Sequence, residues 1–219
     1  MSTQTQIQAG AEAPDSIAPL RDFVVDMTRL VESTQDEDTI LSEGRTLLAR
    51  LISRDDWLPA EFAKPHLQFY QQYLLHADPL ERFSVVSFVW GPGQKTPIHD
   101  HTVWGLVGVL RGAERAVRYE RTDDGGMVAL GDDVLAAGVV EAVSPTVGDI
   151  HAVANAVPDR PSISIHVYGG NIGAISRHVF DPATGEARSF VSGYSAATVP
   201  NLWDRSAQVR AAQLRAAQR

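Results

Sequence analysis

Residues 83–93 have the sequence FSVVSFVWGPG, in which a run of apolar, β-branched and aromatic side chains ends in Gly-Pro-Gly. A run of this kind that leads directly into turn residues is typical of a buried β-strand. Further short β-prone runs, separated by glycines and prolines, follow at residues 103–110, 113–119, 127–130, 139–143, 150–154, 163–168 and 175–180. Many short strands at this spacing predict a β-sandwich or β-barrel.

The residues before this run have a helical pattern instead. Apolar side chains recur at three- and four-residue steps from Ala18 to Leu30 and again from Ile40 to Ile52, which predicts two amphipathic helices. A third helix is predicted from about Pro65 to Leu75, because proline costs little in the first turn of a helix. This third helix would carry Gln71 and Gln72.

These patterns predict a single mainly β domain over residues 17–200. Its helical part would span residues 17–78 and its β-barrel residues 79–200, since no repeat or low-complexity linker divides the chain. Residues 1–16 are expected to form a disordered tail, because they are polar and lack periodicity. Residues 201–219 are expected to form a C-terminal helix or tail.

Composition restricts the function classes. The chain has 219 residues, of which 44% are hydrophobic and 21% charged, a balance that suits a soluble domain. Its 19 basic and 27 acidic residues give a net charge of −8, which argues against nucleic acid or a membrane surface as a partner. The chain has no cysteine, so a metal must be held by His, Asp or Glu. Neither a signal peptide nor a membrane span is evident, so a cytoplasmic location is expected.

Three of the seven histidines occupy positions that suit a metal site. His99 and His101 lie two residues apart, so in a strand both imidazoles project from the same face. His151 can supply a third ligand from a distant strand if the sheet closes on itself. The sequence therefore predicts a three-histidine site. The spacing alone does not name the metal, because three neutral imidazoles also make catalytic zinc sites.

The glycines around these histidines extend the pattern. Residues 93–112 contain the spacing G-x5-H-x-H-x10-G, and residues 148–155, GDIHAVAN, contain G-x2-H-x3-N. These segments resemble the two motifs of the cupin superfamily, which implies a double-stranded β-helix or jelly-roll barrel, here with an N-terminal helical subdomain. Cupins usually have a glutamate ligand shortly after the second histidine of the first motif. Gly105 occupies that position, which leaves three histidines without a carboxylate.

A further segment makes the resemblance more specific. Residues 164–168, SIHVY, place a serine, a histidine and a tyrosine on one face of a strand. Together with residues 83–91, 97–102 and the second histidine motif, this segment resembles the thiol dioxygenase family, the relatives of cysteine dioxygenase within the cupins. The resemblance implies a hydrogen-bonded relay of Ser164, His166 and Tyr168 beside Fe²⁺. The implied iron ligands are His99, His101 and His151.

Two departures from the family pattern bear on the substrate. The cysteine–tyrosine cross-link of some members is impossible here, because the chain has no cysteine. The arginine that binds the substrate carboxylate is replaced by glutamine, with Gln71 preferred over Gln72, which is similar to the bacterial Gln-type branch of 3-mercaptopropionate dioxygenase. Because an amide cannot replace a guanidinium as a carboxylate partner, the resemblance implies that Arg177 takes this role.

The implied function is that of an oxidoreductase. It would add both atoms of O₂ to the sulfur of a small carboxylated thiol to give a sulfinate, with 3-mercaptopropionate preferred over cysteine and mercaptosuccinate. Two other classes stay open: a zinc, nickel or manganese cupin such as an isomerase, and a non-catalytic metal-binding cupin. The expected partners are a small thiol and O₂, and no oligomeric state is predicted.

Overall fold

The computed structural model describes residues 17–122, 125–195 and 206–218. Two helices begin the described chain, α1 (Ala18–Ser33) and α2 (Glu37–Ile52), which confirms the predicted amphipathic pair. Helix α2 begins after Asp36, whose carboxylate accepts the backbone N–H of Thr39 at 2.9 Å and so caps the helix. The expected tail at residues 1–16 lies outside the described residues.

The third predicted helix, from Pro65 to Leu75, is wrong. After a short 3-10 turn at Ala60–Ala63, the chain enters strand β1 (Gln71–Ala77), which pairs antiparallel with β2 (Ser84–Trp90). β2 is buried along its whole length, and β1 satisfies the backbone N–H and C=O groups on one of its edges. This long-range pairing, rather than local helix propensity, sets the structure of the segment. The helical part therefore ends before residue 78.

The described residues form eleven strands in two antiparallel sheets. The strands after β2 are β3 (Ile98–His99), β4 (Gly105–Arg111), β5 (Ala113–Arg121), β6 (Met127–Ala136), β7 (Val140–Val143), β8 (His151–Asn155), β9 (Ser162–Tyr168), β10 (Arg177–Phe180) and β11 (Ala187–Phe190). The first sheet has the order β1-β2-β9-β4-β7, and the second has the order β11-β10-β3-β8-β5-β6.

From β2 to β10 the chain crosses between the two sheets at nearly every connection, and only β5 and β6 follow each other within one sheet. This alternation is the winding of a double-stranded β-helix, or jelly-roll. The predicted fold class, a mainly β barrel with N-terminal helices, is therefore confirmed.

Two apolar clusters hold the domain together. In the first, the buried faces of α1 and α2 pack on the first sheet, and α2 lies directly over β4. The approach is close: a Cβ atom at Gly108 would lie 3.0 Å from the side chains of Leu48 and Ile52. The second cluster contains Phe88 and Trp90 of β2 and lies inside the barrel. This second cluster therefore lines the space between the two sheets.

A third helix, α3 (Ser206–Ala217), lies near the end of the chain. The guanidinium of Arg210 donates to the carbonyl of Val191 at 3.1 Å, and the amide of Gln213 donates to the Ser176 hydroxyl at 2.7 Å. α3 therefore rests on the segments that follow β11 and precede β10. No helix among the described residues is both long enough and apolar enough to span a membrane.

Candidate metal centre

The fold brings the three predicted ligands together. His99 and His151 are direct partners across β3 and β8, and His101 follows β3 by two residues. The centroids of the three rings lie 4.8–4.9 Å apart, and one ligand atom from each residue lies within 4.8 Å of the others. All three imidazoles are at least nine-tenths buried. The cluster can therefore bind a metal ion.

Hydrogen bonds fix the orientation of two of these rings. His99 Nδ1 lies 3.1 Å from the carbonyl oxygen of Pro97, and His101 Nδ1 lies 2.9 Å from Asp149 Oδ1. Because both partners are acceptors, each Nδ1 carries the proton and each Nε2 keeps its lone pair for a metal. Burial, together with the neighbouring imidazoles, holds the pKa of His99 and of His151 well below the usual range. Neutral imidazoles of this kind fit a divalent transition metal with open coordination positions.

The cluster opens into a cavity of about 210 Å³ between the two sheets. Aromatic side chains line much of it, among them Tyr70, Phe88 and Trp90. The cavity also contains the Tyr168 ring, which stacks on the His101 ring with centroids 5.4 Å apart. A small molecule in this cavity would therefore lie beside both the three-histidine cluster and the Tyr168 phenol.

The predicted relay of Ser164, His166 and Tyr168 forms a continuous hydrogen-bond chain on β9. The Ser164 hydroxyl lies 2.7 Å from His166 Nε2, and His166 Nδ1 lies 2.7 Å from the Tyr168 hydroxyl. Burial lowers the pKa of His166 and raises that of Tyr168, so the imidazole stays neutral and the phenol stays protonated. A Cβ atom at Gly105 would lie 2.9 Å from the Tyr168 ring. The glycine at the usual glutamate position therefore leaves room for that ring.

Arg177, at the start of β10, is buried at the edge of the same cavity and is only 4% exposed. Its guanidinium donates to the Ser192 hydroxyl at 2.6 Å and lies 4.7 Å from the centre of the Phe190 ring. Its Nε has no hydrogen-bond partner, and no carboxylate pairs with it, within the part of the chain that the structure describes. A buried, oriented cation of this kind can bind an anionic group of a ligand.

The two candidate glutamines lie on opposite sides of β1. Gln71 lies outside the cavity, where its amide donates to the carbonyls of Phe69 and Tyr70. Gln72 lines the cavity instead, and its amide donates to the carbonyl of Gly193. Neighbouring residues of a strand face opposite sides, so only one of these two glutamines of β1 can face the cavity.

No family model matches the chain. The similar solved structures include a protein of Thermus thermophilus, which is 20% identical, has a TM-score of 0.39 and aligns 51% of this chain with 92% of that one. They also include an uncharacterized conserved protein with a double-stranded β-helix domain from Klebsiella pneumoniae, with 19% identity, a TM-score of 0.39, and 61% and 87% coverage. A cupin superfamily protein of Desulfitobacterium hafniense is 16% identical, with a TM-score of 0.38 and 52% and 91% coverage.

The winding of the two sheets decides the fold. It is a cupin fold. The three-histidine cluster lies inside this barrel, with His99 on β3, His101 two residues after it and His151 on β8.

Asp149 supports the cluster, although no sequence motif predicted it. Its two carboxylate oxygens accept the backbone N–H groups of His101 at 3.0 Å and of Thr102 at 2.9 Å, in addition to the His101 imidazole. Thr102 has φ = 61°, which is strained for a β-branched residue. Asp149 therefore holds the turn that aims His101 into the cluster. Its position two residues before His151 was the only sequence signal for it.

We expect Asp149→Asn to weaken metal binding by about 10- to 100-fold, the usual cost of losing a hydrogen-bond partner of a metal-binding histidine. Asparagine replaces one of the two acceptor oxygens by an NH₂ group, so either His101 or the Thr102 N–H loses its acceptor, and the negative charge beside His101 is lost. Competition between the protein and a chelator for Zn²⁺ measures the affinity. Asp132→Asn is the matched control, because Asp132 pairs only with Arg115 on the surface. Equal affinities for the two variants would remove Asp149 from the site.

Proposed function

We propose that this protein is a thiol dioxygenase that uses Fe²⁺ to add both atoms of O₂ to the sulfur of a small carboxylated thiol. The product is a sulfinate: the sulfur loses four electrons, O₂ gains four, and no external reductant is needed. The observation that carries the proposal is that the Ser164–His166–Tyr168 chain ends in the cavity that the three imidazoles face.

Ferrous iron held by His99, His101 and His151 would supply the open coordination positions and the redox chemistry that a thiol and O₂ require. The protein contributes three neutral ligands. A neutral ligand set leaves the full charge of a divalent cation in the site, and this charge favours the thiolate over the thiol.

Arg177 would bind the carboxylate of the substrate. The guanidinium is already desolvated, and the Ser192 hydroxyl and the Phe190 ring hold it in place. Little side-chain entropy is therefore lost when a carboxylate binds, and the ion pair forms where water does not screen it. This contact would direct the thiol end of the substrate towards the imidazole cluster, which lies next to β10 on the same sheet.

Tyr168 would donate a hydrogen bond to the reacting atoms. His166 holds the phenol oxygen, and Ser164 holds the imidazole, so the hydroxyl is oriented before the substrate arrives. Preorganised donors in a water-poor site stabilise developing negative charge without reorganisation.

The cavity lining favours 3-mercaptopropionate over its competitors. No acidic side chain is among the described residues that line the cavity, so the ammonium group of cysteine finds no carboxylate partner there. Arg177 is also the single Lys or Arg among these lining residues, so the second carboxylate of mercaptosuccinate has no cation. Unpaired charges in a buried site are costly.

Oxygen uptake by protein loaded anaerobically with Fe²⁺ tests the proposal. We expect uptake with 3-mercaptopropionate at a higher kcat/KM than with cysteine or mercaptosuccinate, and a sulfinate as the product. Zinc-loaded protein is the control and is expected to consume no O₂. If no thiol raises uptake above that of free Fe²⁺, the proposal fails. The metal content of protein purified without added metal then tests the zinc, nickel and manganese alternatives.

We expect Tyr168→Phe to lower kcat by about 100-fold, the usual effect of removing one preorganised donor, while iron content stays unchanged. The matched control is Tyr73→Phe, because the Tyr73 hydroxyl donates to the Lys64 carbonyl outside the cavity. Steady-state kinetics together with iron analysis separate the two roles. Loss of iron in Tyr168→Phe would instead make the phenol part of the structural support of the cluster.

A further inference from the structure

Glu114 of β5 is a completely buried carboxyl group inside the barrel, and nothing in the proposed reaction uses it. Neither carboxylate oxygen has a hydrogen-bond partner of normal geometry within the described part of the chain. Burying a carboxyl group without partners is costly, and such a group in a folded protein calls for a physical reason.

The groups next to this carboxyl group, Ser164 and Trp90, connect it to the hydrogen-bond chain of the site. The Ser164 hydroxyl and the Trp90 indole N–H lie close enough to favour the charged carboxylate, although neither makes a hydrogen bond of normal geometry to it. The Trp90 N–H donates to the Ser164 oxygen at 3.3 Å. Ser164 is also the first member of the chain that runs through His166 to Tyr168. Glu114 therefore lies at the buried end of that chain, and the cavity lies at the other end.

We propose that Glu114 is the proton store of this chain: it takes up a proton that Tyr168 accepts from the cavity and later returns it by the same path. The presence of such a store does not depend on the reaction of the cavity. Its use, to hold the proton that a substrate thiol releases on binding, rests on the proposed function.

The proton count of the chain balances in both states. In the proposed state with Glu114 ionised, the Ser164 O–H would turn to donate to the carboxylate, His166 would donate from Nε2, and the Tyr168 O–H would donate to His166 Nδ1. When the cavity delivers a proton to Tyr168, each link passes its own proton inwards and Glu114 becomes a carboxylic acid. His166 then donates from Nδ1, and the Tyr168 O–H points to the cavity. Ser164 accepts the Trp90 N–H in both states, so no member loses its bonds.

The environment keeps both states accessible near neutrality. Burial raises the pKa of Glu114 to about 7, and the nearby Ser164 and Trp90 lower it only in part. The titratable groups that face the carboxyl group are two members of the hydrogen-bond chain. His166 lies next to Ser164, and the charge of Glu114 raises the pKa of Tyr168. Asn155 and Leu135, its partners on β8 and β6, are uncharged.

Nitrogen NMR of His166 in the zinc-loaded protein tests this proposal without any thiol oxidation. In the wild type we expect the imidazole proton to move from Nε2 to Nδ1 as the pH falls through about 7. In Glu114→Gln, whose side chain cannot titrate, we expect a single tautomer at every pH. Glu141→Gln is the matched control, since Glu141 is another partly buried glutamate whose pKa burial raises, but its neighbours are Arg118 and Asp133. This variant should switch as the wild type does.

A wild-type His166 that keeps one tautomer on both sides of pH 7 would overturn the proposal, as would a switch that persists in Glu114→Gln. The wild-type measurement needs no variant, so it decides the question even if Glu114→Gln fails to fold. A second readout is the pH profile of kcat in the iron-loaded protein, which should lose its step near pH 7 in Glu114→Gln while KM stays unchanged. Failure of thiol oxidation would leave the NMR result intact, so the two proposals fail separately.

Discussion

His151→Ala is expected to abolish metal binding, and with it all activity that depends on the metal. His151 is the one ligand that comes from β8, and its ring lies 4.8 Å from each of the other two. Losing even an outer hydrogen-bond partner of a metal ligand costs about 10- to 100-fold in affinity. Removing one of three ligands should therefore cost more than about 100-fold, and no metal should survive desalting after anaerobic loading.

His66→Ala is the matched control for this experiment. The His66 ring lies on the surface, where it accepts the backbone N–H groups of Gln68 and Phe69, and it is not part of the three-histidine cluster. This variant should retain one metal ion per chain, as measured by elemental analysis. One metal ion per chain in His151→Ala would show that the ion binds elsewhere.

Arg177→Ala is expected to raise KM for 3-mercaptopropionate by about 100-fold while leaving KM for cysteamine nearly unchanged. A truncated buried ion pair costs about 2–5 kcal/mol, and every 1.4 kcal/mol is tenfold in affinity. Cysteamine has no carboxylate, so its binding does not depend on an ion pair with Arg177. We expect Arg177→Lys to recover only part of the affinity, because an ammonium group cannot both reach Ser192 and stack on Phe190 as the guanidinium does.

The comparison of the two thiols decides the role of Arg177, because a variant that merely disturbs the cavity would affect both equally. Arg115→Ala is the control for charge, since Arg115 pairs with Asp132 on the exposed face of the barrel. Equal increases in KM for both thiols in Arg177→Ala would assign this arginine to the structure of the cavity wall.

The side-chain placements that the sequence predicted and the structure shows depend on the two-residue repeat of a strand. His99 and His101 face one way, as do Ser164, His166 and Tyr168, because residues two apart in an extended chain share a face. That rule applies within one strand, so it can be used without knowing which other strands that strand pairs with. The convergence of His151 with the other two required a closed sheet, which the spacing of the short strands indicated.

The errors arose where long-range pairing set the local structure. Residues 65–75 begin with a proline that suits the first turn of a helix, but residues 71–77 pair with the edge of β2 and form a strand. On the sequence alone Gln71 is preferred to Gln72, whereas Gln72 is the one that lines the cavity, because neighbouring residues of a strand face opposite sides. Glu114 gave no signal at all, because an exposed and a buried glutamate look the same within an alternating strand.

Oxidation of 3-mercaptopropionate under isotopically labelled O₂ tests most directly whether the three-histidine cluster and the Tyr168 relay form a thiol dioxygenase. The iron-loaded protein and the unlabelled thiol are mixed in ordinary water, and the product is identified by mass spectrometry. We expect a sulfinate in which both added oxygen atoms carry the label. A disulfide as the product, or a sulfinate that contains oxygen from water, would contradict the proposed reaction.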